Sequence, residues 1–167
     1  MNRHVLSILV ENQSGVLSRI SGLFSRRGYN IDSLSVGETE NPAYSRVTAV
    51  CSGDDMIIEQ IKNQLEKLVD TVAIIDLNDG QSVYRELALI KVSAIPEKRS
   101  EIVGIVDIFR AKIIDVSTTA IIVEITGEMT KVDAFAELLG PYGIMEIART
   151  GLTGMQRGSK LIKDHIS

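Results

Sequence analysis

The pattern of hydrophobic and polar positions between residues 3 and 77 predicts a strand–helix–strand–strand–helix–strand unit. Apolar residues recur at helical spacing in two segments, and short β-branched runs with partial two-residue alternation fill four others. Ser14 is a candidate N-cap of the first helix, and Gly28 stands where a left-handed residue would end it. Pro42 and its charged neighbours suit a hairpin loop. The predicted elements are strands at 3–10, 31–36, 46–51 and 72–77 and helices at 15–27 and from 54 onward.

The same order of elements begins again after the polar residues 78–82. Pro96 is tolerated in the first turn of a helix, and Gly140 with Pro141 ends the last one. The predicted elements are strands at 87–94, 113–116, 121–126 and 144–148 and helices from 96 and around 132–139. The repeat therefore predicts an α+β fold of two ferredoxin-like βαββαβ units in tandem, with domains at residues 1–78 and 79–167.

The size of each predicted unit indicates self-association. A unit of roughly 70 residues is near the lower limit for an independent hydrophobic core. Burying a sheet edge or a helix face against a neighbour would stabilise it, so we expect at least a homodimer, formed through the first domain. The fold by itself does not decide the function, because this sandwich serves many unrelated functions.

Composition and charge exclude several classes of protein. Hydrophobic residues make up 44% of the chain and charged residues 24%, which is typical of a globular protein. Its apolar runs are far shorter than the roughly 18 residues of a membrane span. The first residues lack the pattern of a secretory signal peptide, in which a charged segment precedes an apolar one. We therefore expect a cytoplasmic protein. The net charge of −4 argues against general nucleic-acid binding. The first 80 residues hold 7 Lys/Arg against 11 Asp/Glu, whereas the rest hold 11 of each, which indicates two different partners.

The reactive side chains predict neither a metal site nor a catalytic site. Cys51 is the single cysteine, which excludes an internal disulfide. We interpret it as a small apolar residue of the third strand. The two histidines, His4 and His165, lack the spacing of a metal-ligand cluster. The acidic residues are scattered rather than paired for acid–base catalysis. We therefore expect no catalytic residue, no metal and no cofactor on this chain.

Two other functions of this fold lack the residues that they require. Acylphosphatase holds its phosphate with an arginine in the first loop, and none lies between Glu11 and Val16, since Arg19 falls within the predicted helix. RNA-recognition modules stack bases on aromatic residues of their central strands, and the predicted strands at 3–10 and 46–51 have none. An enzyme of the acylphosphatase type and an RNA-binding module are therefore disfavoured.

The turn between the first strand and the first helix is the most informative segment. A helix that begins near Gly15 presents unpaired N–H groups and a positive dipole end, which suit a carboxylate. Asn12 adds an amide with a donor and an acceptor, and Asn30 stands just before the next strand. The residues equally fit a local role, in which Asn12 and Gly15 turn the chain and Asn30 makes a turn bond.

Pairing of two such units would bring these residues together. If the units join through the edge strand, the first helix and Asn30 of the two copies face one another. The gap would have polar ends and apolar walls from Val16, Leu17 and Ile31. Such a pocket suits a small apolar amino acid, and valine, leucine and isoleucine all fit, because one methylene is worth only about 1–3 kcal/mol.

Five segments resemble a known family, the regulatory (small) subunit of acetohydroxyacid synthase, also called acetolactate synthase. The matching segments are residues 10–19, 22–31, 85–92, 108–116 and 146–151. The first unit looks like an ACT domain, a ligand-sensing module of ferredoxin-like fold, and the second is similar to the family's C-terminal ACT-like domain. The similarity spans nearly the whole chain.

The resemblance implies a non-catalytic chain that binds a catalytic large subunit, raises its activity and confers feedback inhibition by a branched-chain amino acid, usually valine. The large subunit would hold thiamine diphosphate, magnesium and FAD and condense two pyruvates to 2-acetolactate, or pyruvate with 2-oxobutanoate. These reactions belong to valine, leucine and isoleucine biosynthesis. The implied effector site comprises residues of one ACT domain and of its dimer partner: Asn12, Gly15, Val16 and Leu17, and Asn30 and Ile31.

A rival function shares the same pocket. A stand-alone tandem ACT protein would sense an amino acid and act on a transcription factor or on another enzyme, without a large subunit. Capture of binding partners from cell extract separates this rival from the regulatory subunit that the resemblance implies.

Overall fold

The computed structural model describes residues 2–77 and 80–166 and divides into two compact units. The first unit comprises the described residues up to Val83 together with the segment from Gly151 onward. The second unit is Tyr84–Thr150.

The first unit is a four-stranded antiparallel sheet with two helices on one face. Its sheet order is β2-β3-β1-β4. Alternate residues of β1, namely Leu6, Ile8 and Val10, join residues of both helices in one buried cluster. The elements are β1 (Asn2–Glu11), α1 (Val16–Arg27), β2 (Ile31–Glu38), β3 (Tyr44–Gly53), α2 (Asp55–Glu66) and β4 (Thr71–Leu77).

The second unit repeats this arrangement in the order β6-β7-β5-β8. Its core contains the aromatic pair Phe109 and Phe135, whose ring centroids are 5.2 Å apart. The elements are β5 (Ser82–Ser93), α3 (Arg99–Ile108), β6 (Lys112–Val116), β7 (Ala120–Gly127), α4 (Met129–Leu139) and β8 (Ile144–Arg149). Two βαββαβ units in tandem confirm the predicted α+β fold class.

The ends of α1 differ in part from the prediction. Gly28 ends the helix in the left-handed conformation (φ 67°), as predicted. The predicted N-cap at Ser14 is wrong, because Gly15 occupies the N-cap position with φ 86° and no side chain caps the helix. Only glycine adopts this backbone conformation without strain.

The C-terminal segment packs with the first unit, whereas the predicted domain boundaries place it with the second. It comprises β9 (Thr153–Gln156) and a 3₁₀ helix at Ile162–His165. The N–H of Leu152 donates to Ser33 Oγ (2.9 Å), and the N–H of Arg157 donates to Gln81 O (2.9 Å). Leu152 is only 3% exposed. Its burial and these hydrogen bonds hold the segment on the first unit.

Cys51 lies fully buried in β3. This agrees with its interpretation as a small apolar residue of the third strand. Burial raises the pKa of its thiol to about 12, with smaller contributions from Asp32 and Asp76. Because the thiolate is the reactive form, we expect negligible alkylation by iodoacetamide at pH 8 in the folded protein. The same reaction in guanidinium chloride should go to completion. Fast labelling of the native protein, followed by mass spectrometry, would contradict this prediction.

Candidate functional site

The start of α1 presents a set of open backbone donors. Gly15, Leu17 and Ser18 have N–H groups that meet no acceptor in the described part of the chain. The first turn of the helix carries no acidic residue that would neutralise its dipole. This end of the helix therefore suits an external carboxylate.

Asn12 ties the start of α1 to the β2–β3 hairpin. Its Nδ2 donates to Pro42 O (3.0 Å) and to Glu38 Oε2 (3.4 Å), and its backbone N–H donates to Ala43 O (2.8 Å). Its Oδ1 has no donor among residues 2–77 and 80–166, so it is available to a ligand ammonium group. Asn12 thus has a local role and one free acceptor at the same time.

Asn30 lies at the opposite end of α1 from Asn12. Its Nδ2 donates to Asp32 Oδ1 (2.8 Å), which is the local bond expected at a turn. A helix rises about 1.5 Å per residue, so the 12 residues of α1 separate its two ends by about 18 Å. A single chain therefore does not bring Asn12 and Asn30 into one site, and a site containing both requires a second copy.

The three predicted apolar wall residues differ in exposure. Val16 is 5% exposed and its side chain belongs to the core. Leu17 is 45% exposed, and Ile31 is half-buried at the start of β2. Leu17 and Ile31 can therefore offer side chains to a ligand, whereas Val16 can offer only its backbone.

Arg19 lies at this candidate site, and the sequence reasoning missed it. Its Nε donates to Oδ2 of the buried Asp70 (2.6 Å), and this hydrogen bond raises the pKa of Arg19. A Cβ added to Gly15 would lie 2.9 Å from Arg19 Nη1, so the guanidinium covers this glycine. The helical i, i+4 spacing of Gly15 and Arg19 is the signal that could have found it. The arginine adds a fixed cation to the carboxylate-accepting end of α1.

Within residues 2–77 and 80–166, no group of three or more His, Cys, Asp or Glu side chains is placed to hold a metal ion. No helix in the same ranges combines the length and apolar character needed to cross a membrane.

Comparison with known proteins identifies the family of both units. Residues 6–73 match the model of the AHAS small subunit-like ACT domain, and residues 85–158 match that of the small subunit of acetolactate synthase. A probable acetolactate synthase small subunit from Archaeoglobus fulgidus is 52% identical over 158 residues, covering 95% of this chain and 99% of the relative. The chain belongs to the acetolactate synthase small subunit family.

A bacterial relative and a crystal structure agree with this assignment. The acetolactate synthase small subunit of Bacillus subtilis is 47% identical to this chain and covers 95% of it, with 92% of the relative aligned. The crystal structure of the small subunit from Thermotoga maritima has a TM-score of 0.88 and 46% identity, covering 96% of this chain and 100% of that chain. Membership of the acetolactate synthase small subunit family supports a regulatory-subunit role.

Proposed function

We propose that this chain binds the catalytic large subunit of acetolactate synthase, raises its activity and makes it sensitive to feedback inhibition by valine. The observation that carries the proposal is the uncapped start of α1, with its open N–H groups beside Arg19, within a segment that matches the family's ACT domain. A free amino acid presents the carboxylate that this arrangement suits.

The chemistry of each end of valine matches a group at the site. The carboxylate accepts from the N–H groups of Leu17 and Ser18 and pairs with Arg19. The ammonium donates to Asn12 Oδ1. The isopropyl group contacts Leu17 of the same copy and Ile31 of a second copy. Asn30 of that second copy closes the pocket. Because the ligand touches both copies, it stabilises the paired arrangement over any other.

Regulation follows from this preference. Valine shifts the population of the homodimer toward one arrangement, and that arrangement lowers the activity of the attached large subunit. A coupling free energy of about 1–3 kcal/mol, typical of allosteric proteins, changes affinity by about 5- to 150-fold. The effector need not contact any reacting atom.

The catalytic chemistry belongs to the large subunit in this proposal. That subunit holds thiamine diphosphate, magnesium and FAD, and it condenses two pyruvates to 2-acetolactate with loss of carbon dioxide, or pyruvate with 2-oxobutanoate. This chain holds no cofactor and acts in the cytoplasm. Its contribution to the biosynthesis of branched-chain amino acids is control of that first condensation.

The direct test mixes the purified chain with its large subunit and follows acetolactate formation. We expect the mixture to be more active than the large subunit alone and to lose activity as valine is added. Unchanged acetolactate formation at every valine concentration would refute the proposal. Separate titrations with leucine and isoleucine then establish which amino acid is preferred.

A site shared between two copies predicts complementation. Asn12→Ala and Asn30→Ala should each remove valine inhibition when the variant is used alone. After the two variants are combined and re-equilibrated, about half of the dimers should contain one copy of each variant. Each of these mixed dimers carries one intact site. About a quarter of the sites should therefore return, measured as recovered valine binding by calorimetry. Mixtures that bind no more than the separate variants would mean that the site lies within one chain.

A further inference from the structure

A cavity of about 630 Å³ lies within the first unit, between the open face of its sheet and the C-terminal segment. Its floor is formed by Leu9, Thr48 and Ile75, which are nearly fully buried residues of β1, β3 and β4. Met155 and Leu161 of the C-terminal segment line the other side. The volume falls within the range of roughly 300–1,000 Å³ typical of small-molecule sites.

Two polar groups of this cavity have unused hydrogen-bonding capacity. Oε1 of Gln156 is buried and has no hydrogen-bond donor among the residues that the structure describes. Arg46 donates from Nη1 to Gly154 O (3.1 Å), and no acidic side chain in the described ranges forms an ion pair with it. Burial lowers the pKa of Arg46, while the charge of Glu40 opposes the shift. A buried acceptor and a desolvated cation both gain from a ligand.

Charges of both signs line the same cavity. Glu38 and Glu40 come from the β2–β3 hairpin, and Lys160 and Lys163 come from the C-terminal segment. With Arg46 and the apolar floor, these groups suit a small molecule that carries an anion, a cation and a hydrocarbon body. An aliphatic amino acid has these three parts and no others.

We propose that this cavity is a second ligand site, which binds one aliphatic amino acid per chain. The carboxylate pairs with Arg46, the ammonium donates to Gln156 Oε1, and the side chain lies on Leu9 and Ile75. This site is separate from the start of α1 and needs residues of one chain only. It extends the proposed function without depending on it.

The β2–β3 hairpin connects the two sites. Asn12 donates to Pro42 O and to Glu38, and Glu38 and Glu40 also line the cavity.

The test removes the first site and asks whether binding remains. We expect calorimetric titration of the full-length Gly15→Asp variant with L-valine, L-leucine and L-isoleucine to show saturable binding of at least one of them, at one molecule per chain. Adding Arg46→Gln or Gln156→Leu to this background should weaken that binding by about tenfold or more, since a hydrogen bond to a charged group is worth about 1.5–3 kcal/mol. Arg26→Gln, at an exposed arginine outside the cavity, should leave it unchanged.

Three outcomes would overturn this inference. The first is no saturable binding of any of the three amino acids to the Gly15→Asp variant. The second is binding that neither Arg46→Gln nor Gln156→Leu weakens while thermal unfolding shows both variants folded. The deaminated analogue 4-methylpentanoate should bind at least about tenfold more weakly than leucine, and equal binding would refute the assignment of a zwitterion. Valine inhibition retained in Arg46→Gln would leave the proposed function intact whatever the cavity binds.

Discussion

Gly15→Asp is expected to abolish the response of acetolactate formation to valine. The new carboxylate would stand at the start of α1, where the carboxylate of valine is proposed to bind. Its Cβ would lie 2.9 Å from Arg19 Nη1, so the aspartate would pair with the cation that the ligand needs. Loss of the N–H contacts and of Arg19, each worth about 1.5–3 kcal/mol, predicts a loss of valine affinity of about a hundredfold or more.

A matched control separates this effect from strain and charge. Gly80 also has a positive φ (79°), and a Cβ there would meet no atom of the described residues within 4 Å. Gly80→Asp therefore adds the same charge and a similar backbone strain away from the site. It should retain full inhibition by valine in the assay with the large subunit. Inhibition of Gly15→Asp at the wild-type valine concentration would place the effector elsewhere.

Gly151→Ala is expected to release the C-terminal segment from the first unit. An added Cβ would lie 2.3 Å from Leu34 O and 2.9 Å from Ser35 N, both backbone atoms of β2 that cannot rotate away. The segment must therefore move, which exposes Leu152 and costs about 1.5–3 kcal/mol for that side chain. Trypsin should then cleave at Lys160 and Lys163 much faster than in the wild-type protein, as measured by mass spectrometry.

Gly104→Ala is the control for the loss of a glycine. Gly104 lies within α3, and a Cβ there meets nothing within 4 Å. Alanine is favoured over glycine inside a helix by roughly 1 kcal/mol, so this variant should unfold at a slightly higher temperature. Its tryptic pattern in the C-terminal segment should match that of the wild-type protein. Equal proteolysis of Gly151→Ala and wild type would mean that β2 tolerates the methyl group.

The order of elements was predictable because burial on one face imposes a period on the sequence. In β1 the core residues Leu6, Ile8 and Val10 alternate with neighbours on the other face, and in α1 the buried Ile20 and Phe24 are four residues apart. The candidate site was predictable to the extent that it depends on one turn. Asn12 and Gly15 are close in sequence, so the helix start that they flank could be inferred from them alone.

The remaining features depend on contacts between distant residues. The pairing of Arg19 with Asp70 spans 51 positions, and that of Leu152 with Ser33 spans 119. The residues of the C-terminal segment show neither a helical nor a strand period, so local patterns could not assign it to the first unit. The close approach of Gly151 to β2 likewise has no local signature, because it depends on which strand the chain crosses.

The first unit is discontinuous along the chain, and this has a consequence for its biosynthesis. The ribosome must produce all of Tyr84–Thr150 before the residues that cover the open sheet face emerge. Until then the nascent sheet lacks Leu152 and Arg157, whose N–H groups donate to Ser33 Oγ and to Gln81 O in the folded chain. Chains that stop before Gly151 should therefore expose this face to chaperones, whereas released chains that include the segment should not.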